Sequence, residues 1–223
     1  MTVDKINSPI FITGIERSGS SLVARIVENC GAFAGKTTEM YENIEIKKLL
    51  DSYYDLLGVD KRGQWPIPDP EKLIIPTNWK QKVEDILTAE EEYDKDKICM
   101  LKGSRVCQMW PVWHYAFPNA KWIIVRRRPG DVIESCLKTG YMKAFHDSEG
   151  WLDWIHTHEK IFVNMIQTGV NCKQVWPERM VYGDYQQMHE MIEWVGLKWN
   201  KEIVNLIDPL LWNSKQRIEK RKE

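Results

Sequence analysis

The sequence lacks a long apolar run, an excess of one charge and the start of a secreted protein. No apolar stretch approaches the roughly 18 residues needed to span a bilayer, and the opening MTVDKINSPI has no signal-peptide core. Lysine and arginine number 31 against 32 aspartates and glutamates, so the formal net charge is −1. We therefore expect a cytoplasmic protein that is not drawn to membranes or nucleic acid by its overall charge.

Paired cysteines are also missing. The five cysteines are scattered and lack the close pair that many metal sites use: Cys30, Cys99, Cys107, Cys136 and Cys172. This pattern favours reduced thiols and no metal site. With 43% hydrophobic and 28% charged residues among 223, the chain fits one domain over residues 1–223. Its mixed-charge end, KQRIEKRKE, is expected to be a solvated or frayed terminus from about residue 214.

A lysine is missing from a loop that otherwise resembles a phosphate-binding loop. In FITGIERSGSSLVARIV, Gly14 and Gly19 keep the spacing of a nucleoside-triphosphate loop and Ser21 takes its last place, but Ser20 replaces the lysine. Because magnesium-bound triphosphates normally need that ammonium, ATP or GTP hydrolysis is disfavoured. Arg17 supplies a cation instead, since its planar guanidinium can grip a phosphate or sulfonate oxygen.

Short apolar strands alternate with amphipathic helices along the chain. Strands are predicted at PIFIT, KICMLK and AKWIIVRRR, with a last short strand near RMVYG. Helices are predicted at SSLVARIVENCG, ENIEIKKLLDSYYDLLGV, NWKQKVEDILTAEEE, PGDVIESCLKTG, WLDWIHTHEKIFVNMIQ and YQQMHEMIEWVGL, and a loop at GQWPIPDPEKLIIPTNW. This alternation indicates a three-layer α/β/α fold around a central parallel sheet, with ligands at the carboxyl ends of the strands.

The segment RSGSS is similar to the first motif of the sulfotransferases that use 3′-phosphoadenosine 5′-phosphosulfate (PAPS). That motif is a lysine or arginine followed by Ser-Gly-Thr-Ser/Thr, and a serine replaces its threonine here. The resemblance implies a P-loop nucleotide-hydrolase-like fold and a loop that holds the 5′-phosphosulfate. The implied contacts are Arg17, Ser18, Gly19, Ser20 and Ser21.

A second motif of the same family is an apolar strand ending in arginine, then Pro-x-Asp-Val and a serine. WIIVRRRPGDVIES resembles it, and counting back eight residues from Ser135 selects Arg127 among three consecutive arginines. An arginine at a strand end and a hydroxyl on the next helix can converge on one phosphate. The resemblance therefore implies that Arg127 and Ser135 bind the 3′-phosphate.

Two further segments resemble the family less specifically. In MLKGSR, Lys102 is expected to reach the transferred sulfonate and Arg105 to brace it or bind the acceptor, although both could be surface cations. VYGDY resembles a Tyr-Glu-Asp element near the adenine, which implies a role for Tyr182 and a weaker one for Asp184. Glycine replaces the glutamate of that element here.

The general base is expected to be a glutamate, because KGSRVCQ has no histidine where cytosolic members of the family carry one. GKTTEMYENIEI offers Glu39 and Glu42, which resemble the glutamates of tyrosylprotein-type and bacterial-type members. Either could instead interact only with a helix dipole.

Several of the 11 tryptophans, most of them expected in the core, fall near a possible acceptor cleft: Trp65, Trp110, Trp113, Trp151 and Trp154.

The sequence thus predicts a PAPS-dependent sulfotransferase that acts on a hydroxyl or amine of a small molecule or glycan. Two alternatives stay open: a P-loop small-molecule kinase or nucleotide hydrolase with a degenerate loop, and a non-catalytic nucleotide-binding module of the same fold. A compact chain without an anchor favours the cytoplasm of a bacterium or of a virus-infected cell over the Golgi. Neither the acceptor nor the oligomeric state is specified.

Overall fold

A computed structural model describes residue 6 and residues 8–207. The expected frayed terminus therefore lies outside the described residues. The described chain contains a parallel sheet with the strand order β2-β1-β3-β4. Its strands are β1 (Ile10–Gly14), β2 (Met100–Lys102), β3 (Lys121–Val125) and β4 (Cys172–Val175).

The helices lie where amphipathic segments were predicted, with short additional helices between them. They are α1 (Ser20–Asn29), α2 (Ile44–Leu57), α3 (Trp79–Thr88), α4 (Ser104–Gln108), α5 (Trp110–Ala116), α6 (Pro129–Leu137), α7 (Ser148–Gln167), α8 (Pro177–Val181) and α9 (Gln186–Val195). Two 3₁₀ turns cover Pro70–Lys72 and Lys201–Leu206. No helix in this described range is long and apolar enough to cross a bilayer.

Apolar residues on both faces of the central strands explain the three layers. Successive side chains of a strand point to opposite faces, so Phe11 packs into one buried cluster while Ile10 and Ile12 pack into another. The first cluster includes residues of α2 to α7, and the second includes residues of α1, α8 and α9. The predicted α/β/α fold around a parallel sheet is confirmed.

The strand predicted near RMVYG is wrong. The last strand is β4, which pairs with β3 from Trp122 and Cys172 to Val125 and Val175, whereas residues 177–181 form α8. Two central residues of β4 are exposed, so this edge strand lacks the apolar pattern of the inner strands. Pro177 begins α8 because its fixed φ suits the first helical turn.

The ends of the three neighbouring strands are held close together. Thr13 Oγ1 donates to the carbonyl of Gly103 at 2.9 Å and accepts from the amide of Cys107 at 3.2 Å, which joins β1 to α4. A Cβ at Gly14 would lie 2.5 Å from the carbonyl oxygen of Val125, so only glycine fits between β1 and β3 there. The loops that follow β1, β2 and β3 therefore begin side by side.

Candidate active site

A cleft of about 650 Å³ opens where β1, β2 and β3 end. The loop between β1 and α1, the segment before α2, the end of β2 and the start of α6 form its walls. Most residues that the sequence predicted for the site line this cleft: Arg17, Gly19, Ser20, Ser21, Glu42, Lys102, Arg127 and Ser135.

The loop after β1 presents the start of α1 to the cleft. Gly19 has a φ of 94° and Arg17 a φ of 69°, and this left-handed backbone turns the chain sharply into the helix. The first N–H groups of a helix have no partner within it and attract anions. Ser18 Oγ is fully buried and has no hydrogen-bond partner among the described residues. Because Gly19, Ser20 and Ser21 line the cleft, the start of α1 offers backbone N–H donors to an anion there.

The two predicted motifs meet at one point of the cleft. Arg17 Nε donates to Ser135 Oγ at 2.9 Å, although the two residues are 118 positions apart. Arg127 donates from a terminal guanidinium nitrogen to the carbonyl of Arg17, also at 2.9 Å. Arg17 further reaches the hydroxyl of Tyr141 at 3.3 Å. Because non-glycine residues rarely adopt the left-handed backbone, the bond from Arg127 helps to hold Arg17 in that conformation.

The three consecutive arginines after β3 have different partners. Arg126 pairs with Glu159 at 2.6 Å, and Arg128 pairs with Glu178 at 3.0 Å. Of the three, Arg127 lines the cleft. The arginine that lines the cleft is thus the one that lies eight residues before Ser135.

Lys102, the last residue of β2, and Arg105, in α4, are not surface cations. Each side chain is only 7% exposed. Lys102 Nζ lies 3.4 Å from Glu42 Oε1, and Arg105 lies 2.5 Å from Asp51 Oδ1. Each buried cation therefore faces the cleft beside a carboxylate.

Glu16 also lines the cleft, although no motif in the sequence indicated it. Its Oε1 accepts a hydrogen bond from Ser104 Oγ at 3.3 Å, and its Oε2 is buried without a hydrogen-bond partner among the described residues. Burial, followed by the negative charge of Glu42, raises the pKa of Glu16 to about 7. The available signal was an acidic residue inside an otherwise anion-binding loop, directly before its arginine.

A sulfotransferase family model matches residues 9–201 of the chain. The chain belongs to this sulfotransferase family. A search of curated proteins found no significant match.

Several solved sulfotransferase structures share the fold at low sequence identity. The sulfotransferase domain of the olefin synthase of Synechococcus PCC 7002 is 15% identical, with a TM-score of 0.61, and the match covers 93% of this chain and 80% of that one. A sulfotransferase of Alicyclobacillus acidocaldarius is 11% identical with a TM-score of 0.55, covering 87% and 83% of the two chains. A sulfotransferase of Mycobacterium tuberculosis is 11% identical with a TM-score of 0.53, covering 89% and 70%.

Three of the predicted site residues do not belong to the cleft lining found in residues 8–207 of this family member. Ser18 is fully buried, Glu39 is exposed between two lining residues, and Tyr182 is 73% exposed. Asp184 is bound by Arg179 at 2.8 Å. The cleft wall nearest to Tyr182 is formed by Val181 instead.

The tryptophans considered for the acceptor cleft do not line it in the described part of the chain. Trp110, Trp113, Trp151 and Trp154 are buried in the core that covers one face of the sheet. Trp65 is 51% exposed and packs against Phe145, with ring centroids 5.9 Å apart.

The segments around Gln64 and Tyr141, which contain no recognisable motif, form the outer cleft wall of this sulfotransferase family member. The buried side chain of Gln64 joins them: its amide nitrogen donates to the carbonyl of Tyr141 at 2.9 Å, and its amide oxygen accepts from the N–H of Lys143 at 2.9 Å. Asp60 accepts hydrogen bonds from the amides of Arg62 and Gln64 in the same turn. Gln64 therefore fixes Tyr141 beside Arg17.

Proposed function

We propose that the chain transfers the sulfonate group of PAPS to a hydroxyl or amine of a small-molecule or glycan acceptor. The observation that carries this proposal is the junction of Arg17, Ser135 and Arg127 in one cleft beside the glycine loop. Family membership supports sulfonate transfer. The choice of PAPS as donor rests on the two motifs and on how their residues converge.

The charge of the cleft suits a donor with several anionic groups. Eight lysine and arginine side chains line it against three acidic ones, although the whole chain has a formal net charge of −1. Local cations in a cleft attract anions even when the net charge does not. PAPS carries a 3′-phosphate as well as the 5′-phosphosulfate, so it can use cations in two places.

We assign the two ends of the donor to different parts of the cleft. The 5′-phosphosulfate is held by the loop at the start of α1, through Arg17, Ser18, Gly19, Ser20 and Ser21. The 3′-phosphate is held by Arg127 and Ser135. Since Arg17 Nε already contacts Ser135 Oγ, the two anion sites adjoin, and a single nucleotide can reach both.

Transfer requires a positioned acceptor, removal of its proton and compensation of the charge that develops on the departing phosphate. PAPS supplies an activated sulfonate, and the protein supplies the rest. Lys102, at the end of β2, lies 3.4 Å from Glu42 Oε1 and is proposed to stabilise the sulfonate oxygens. Glu16 and Glu42 lie at the cleft floor as the candidate proton acceptors.

Calorimetric titration with 3′-phosphoadenosine 5′-phosphate (PAP), the desulfonated product, tests the donor assignment. We expect PAP to bind without magnesium and more tightly than AMP, because AMP lacks the 3′-phosphate. Arg127→Ala should weaken PAP binding about 10- to 100-fold, since it removes a charge-assisted hydrogen bond. The matched control is Arg128→Ala, which removes a neighbouring arginine that pairs with Glu178 outside the cleft.

The titration also separates the competing functions. Magnesium-dependent binding of ATP in preference to PAP would refute the proposal and favour a P-loop kinase. Equal losses in the Arg127 and Arg128 variants would show that Arg127 has no specific role. Tight PAP binding with no sulfonate transfer to a broad panel of hydroxyl and amine acceptors would favour a non-catalytic module.

A further inference from the structure

Glu16 occupies an unusual place for a carboxylate. It lies in the loop that presents backbone N–H groups to an anion, next to Arg17, and it lines the cleft. The hydrogen bond from Ser104 fixes it toward α4, the helix that follows β2. Arg17 reaches instead toward α6, the helix that follows β3. Since β1 lies between β2 and β3, the two adjacent residues contact opposite sides of the cleft.

The free oxygen of Glu16 needs a hydrogen donor. Buried carboxylate oxygens are normally hydrogen-bonded, and an unsatisfied one in a native structure requires an explanation. Ser104 satisfies Oε1, but Oε2 has no partner among the described residues. PAPS is assigned to the Arg17 side of the cleft. A hydroxyl or amine acceptor bound on the β2 side can therefore donate a hydrogen bond to Oε2 of Glu16.

Glu42 is the other carboxylate of this part of the cleft, and it already has a partner. Its Oε1 lies 3.4 Å from the buried ammonium of Lys102. This contact engages Glu42 with the ammonium group, whereas Oε2 of Glu16 has no hydrogen-bond partner among the described residues. Glu42 is therefore suited to position Lys102.

We propose that Glu16 is a catalytic residue, with its Oε2 accepting the proton that the acceptor hydroxyl or amine loses, and that Glu42 is a positioning residue for Lys102. This inference rests on the proposed function. In the step, the acceptor's O–H or N–H proton moves to Oε2 while its oxygen or nitrogen bonds to sulfur. The bond between sulfur and the 5′-phosphate oxygen breaks, and that oxygen keeps the electron pair and leaves as PAP.

The surroundings of Glu16 suit this role. A general base works best when its pKa lies near the working pH, and the pKa of Glu16 is raised to about 7. The titratable and charged groups that interact with it come from several elements: Glu42, Lys102, Arg105, Tyr54, Cys136 and Tyr141.

The test compares Glu16→Gln with Glu42→Gln, using Glu45→Gln as the matched control. Glutamine keeps the size of Glu16 and can still accept from Ser104, while Glu45 is exposed and pairs with Lys48. Sulfate release from PAPS to water and transfer to the hydroxyl and amine panel are measured from pH 5 to 9. We expect the Glu16 variant to lose at least about 100-fold in rate at pH 7 and to lose the rise in rate through about pH 7.

A readout without turnover is the carbon-13 signal of labelled glutamate carboxyl groups. The unmodified protein should show one glutamate that titrates near pH 7. The Glu16 variant should lack this titration, and the Glu42 variant should keep it at a lower pH, because a neighbouring negative charge has been removed. PAP binding should stay within about threefold of the unmodified protein in both variants, which would show that the loop is intact.

The outcomes separate this inference from the proposed function. Unchanged transfer in the Glu16 variant, a titration near pH 7 that persists in it, or a loss of transfer confined to the Glu42 variant would overturn the assignment of Glu16. Each of these results would leave the proposed sulfonate transfer unaffected. Failure of the unmodified protein to bind PAP, or to release sulfate to any acceptor or to water, would overturn the proposed function and this inference with it.

Discussion

Lowering the pH should destabilise the protein through His158, which is fully buried in α7. His158 Nδ1 lies 2.9 Å from the carbonyl of Trp154 and therefore carries the hydrogen, so Nε2 accepts from the amide nitrogen of Gln108 at 3.0 Å. That amide nitrogen also donates to the carbonyl of Gly63 at 2.7 Å, and the amide oxygen accepts from Tyr54 at 2.7 Å. This network suits only the neutral imidazole.

The size of the effect follows from the pKa of His158. Burial lowers this pKa from 6.5 to about 4, so the unfolded chain binds the proton more tightly than the folded one. The stability that depends on a neutral His158 is complete above pH 6.5 and is lost as the pH falls toward 4. The loss should be about 2 kcal/mol at pH 5 and about 3 kcal/mol below pH 4.

Urea unfolding at pH 7.5, 6 and 5 measures this loss. Between pH 7.5 and pH 5, the free energy of unfolding should fall by about 2 kcal/mol less in His158→Gln than in the unmodified protein, because the variant has no imidazole at this position to protonate. His156→Gln removes an exposed histidine two positions away in the same helix and should keep the original pH dependence. Equal pH dependence in the His158 variant and the unmodified protein would refute the reasoning.

Two further changes test how the cleft is built. Gly14→Ala should lower the free energy of unfolding by about 1–3 kcal/mol, because the added Cβ would lie 2.5 Å from a carbonyl oxygen of β3. Gly130→Ala is the control, since its Cβ would have no atom within 4 Å. Equal melting temperatures of the two variants in thermal unfolding would contradict this prediction. Gln64→Ala should speed hydrogen exchange at the amide of Lys143, which it binds at 2.9 Å. Replacing the exposed Gln186 by alanine should leave exchange at the Lys143 amide unchanged. An effect of equal size in both variants would show that the Gln64 side chain does not hold this amide.

The parts of the site that were predictable from sequence sit directly after strands. In a parallel sheet, loops after neighbouring strands meet at one edge, so short patterns after β1 and β3 sufficed to bring Arg17, Ser135 and Arg127 together. The inner strands were equally readable because both of their faces are buried. The edge strand β4 was misplaced because its exposed residues give no apolar pattern.

The parts that were missed depend on side-chain direction, which a local pattern does not specify. The sequence offered both Glu39 and Glu42 as candidate bases, with Glu42 preferred, and the structure brings Glu42 to Lys102. Tyr182 follows a short helix that leaves it exposed. Glu16 was overlooked because its role depends on a buried hydrogen bond from Ser104, a residue 88 positions away.

The adjacent residues Glu16 and Arg17 join the two halves of the proposed reaction within one loop. Arg17 contacts the helix that carries Ser135, and Glu16 contacts the helix that carries Ser104. A bound nucleotide brings negative charge close to this loop, and a nearby negative charge raises the pKa of a carboxyl group. The titration of Glu16 should therefore lie at a higher pH with PAP bound than without it. Because Glu16 and Arg17 are adjacent in one loop, the rise in transfer rate with pH should follow the pKa of Glu16 in the donor-bound protein.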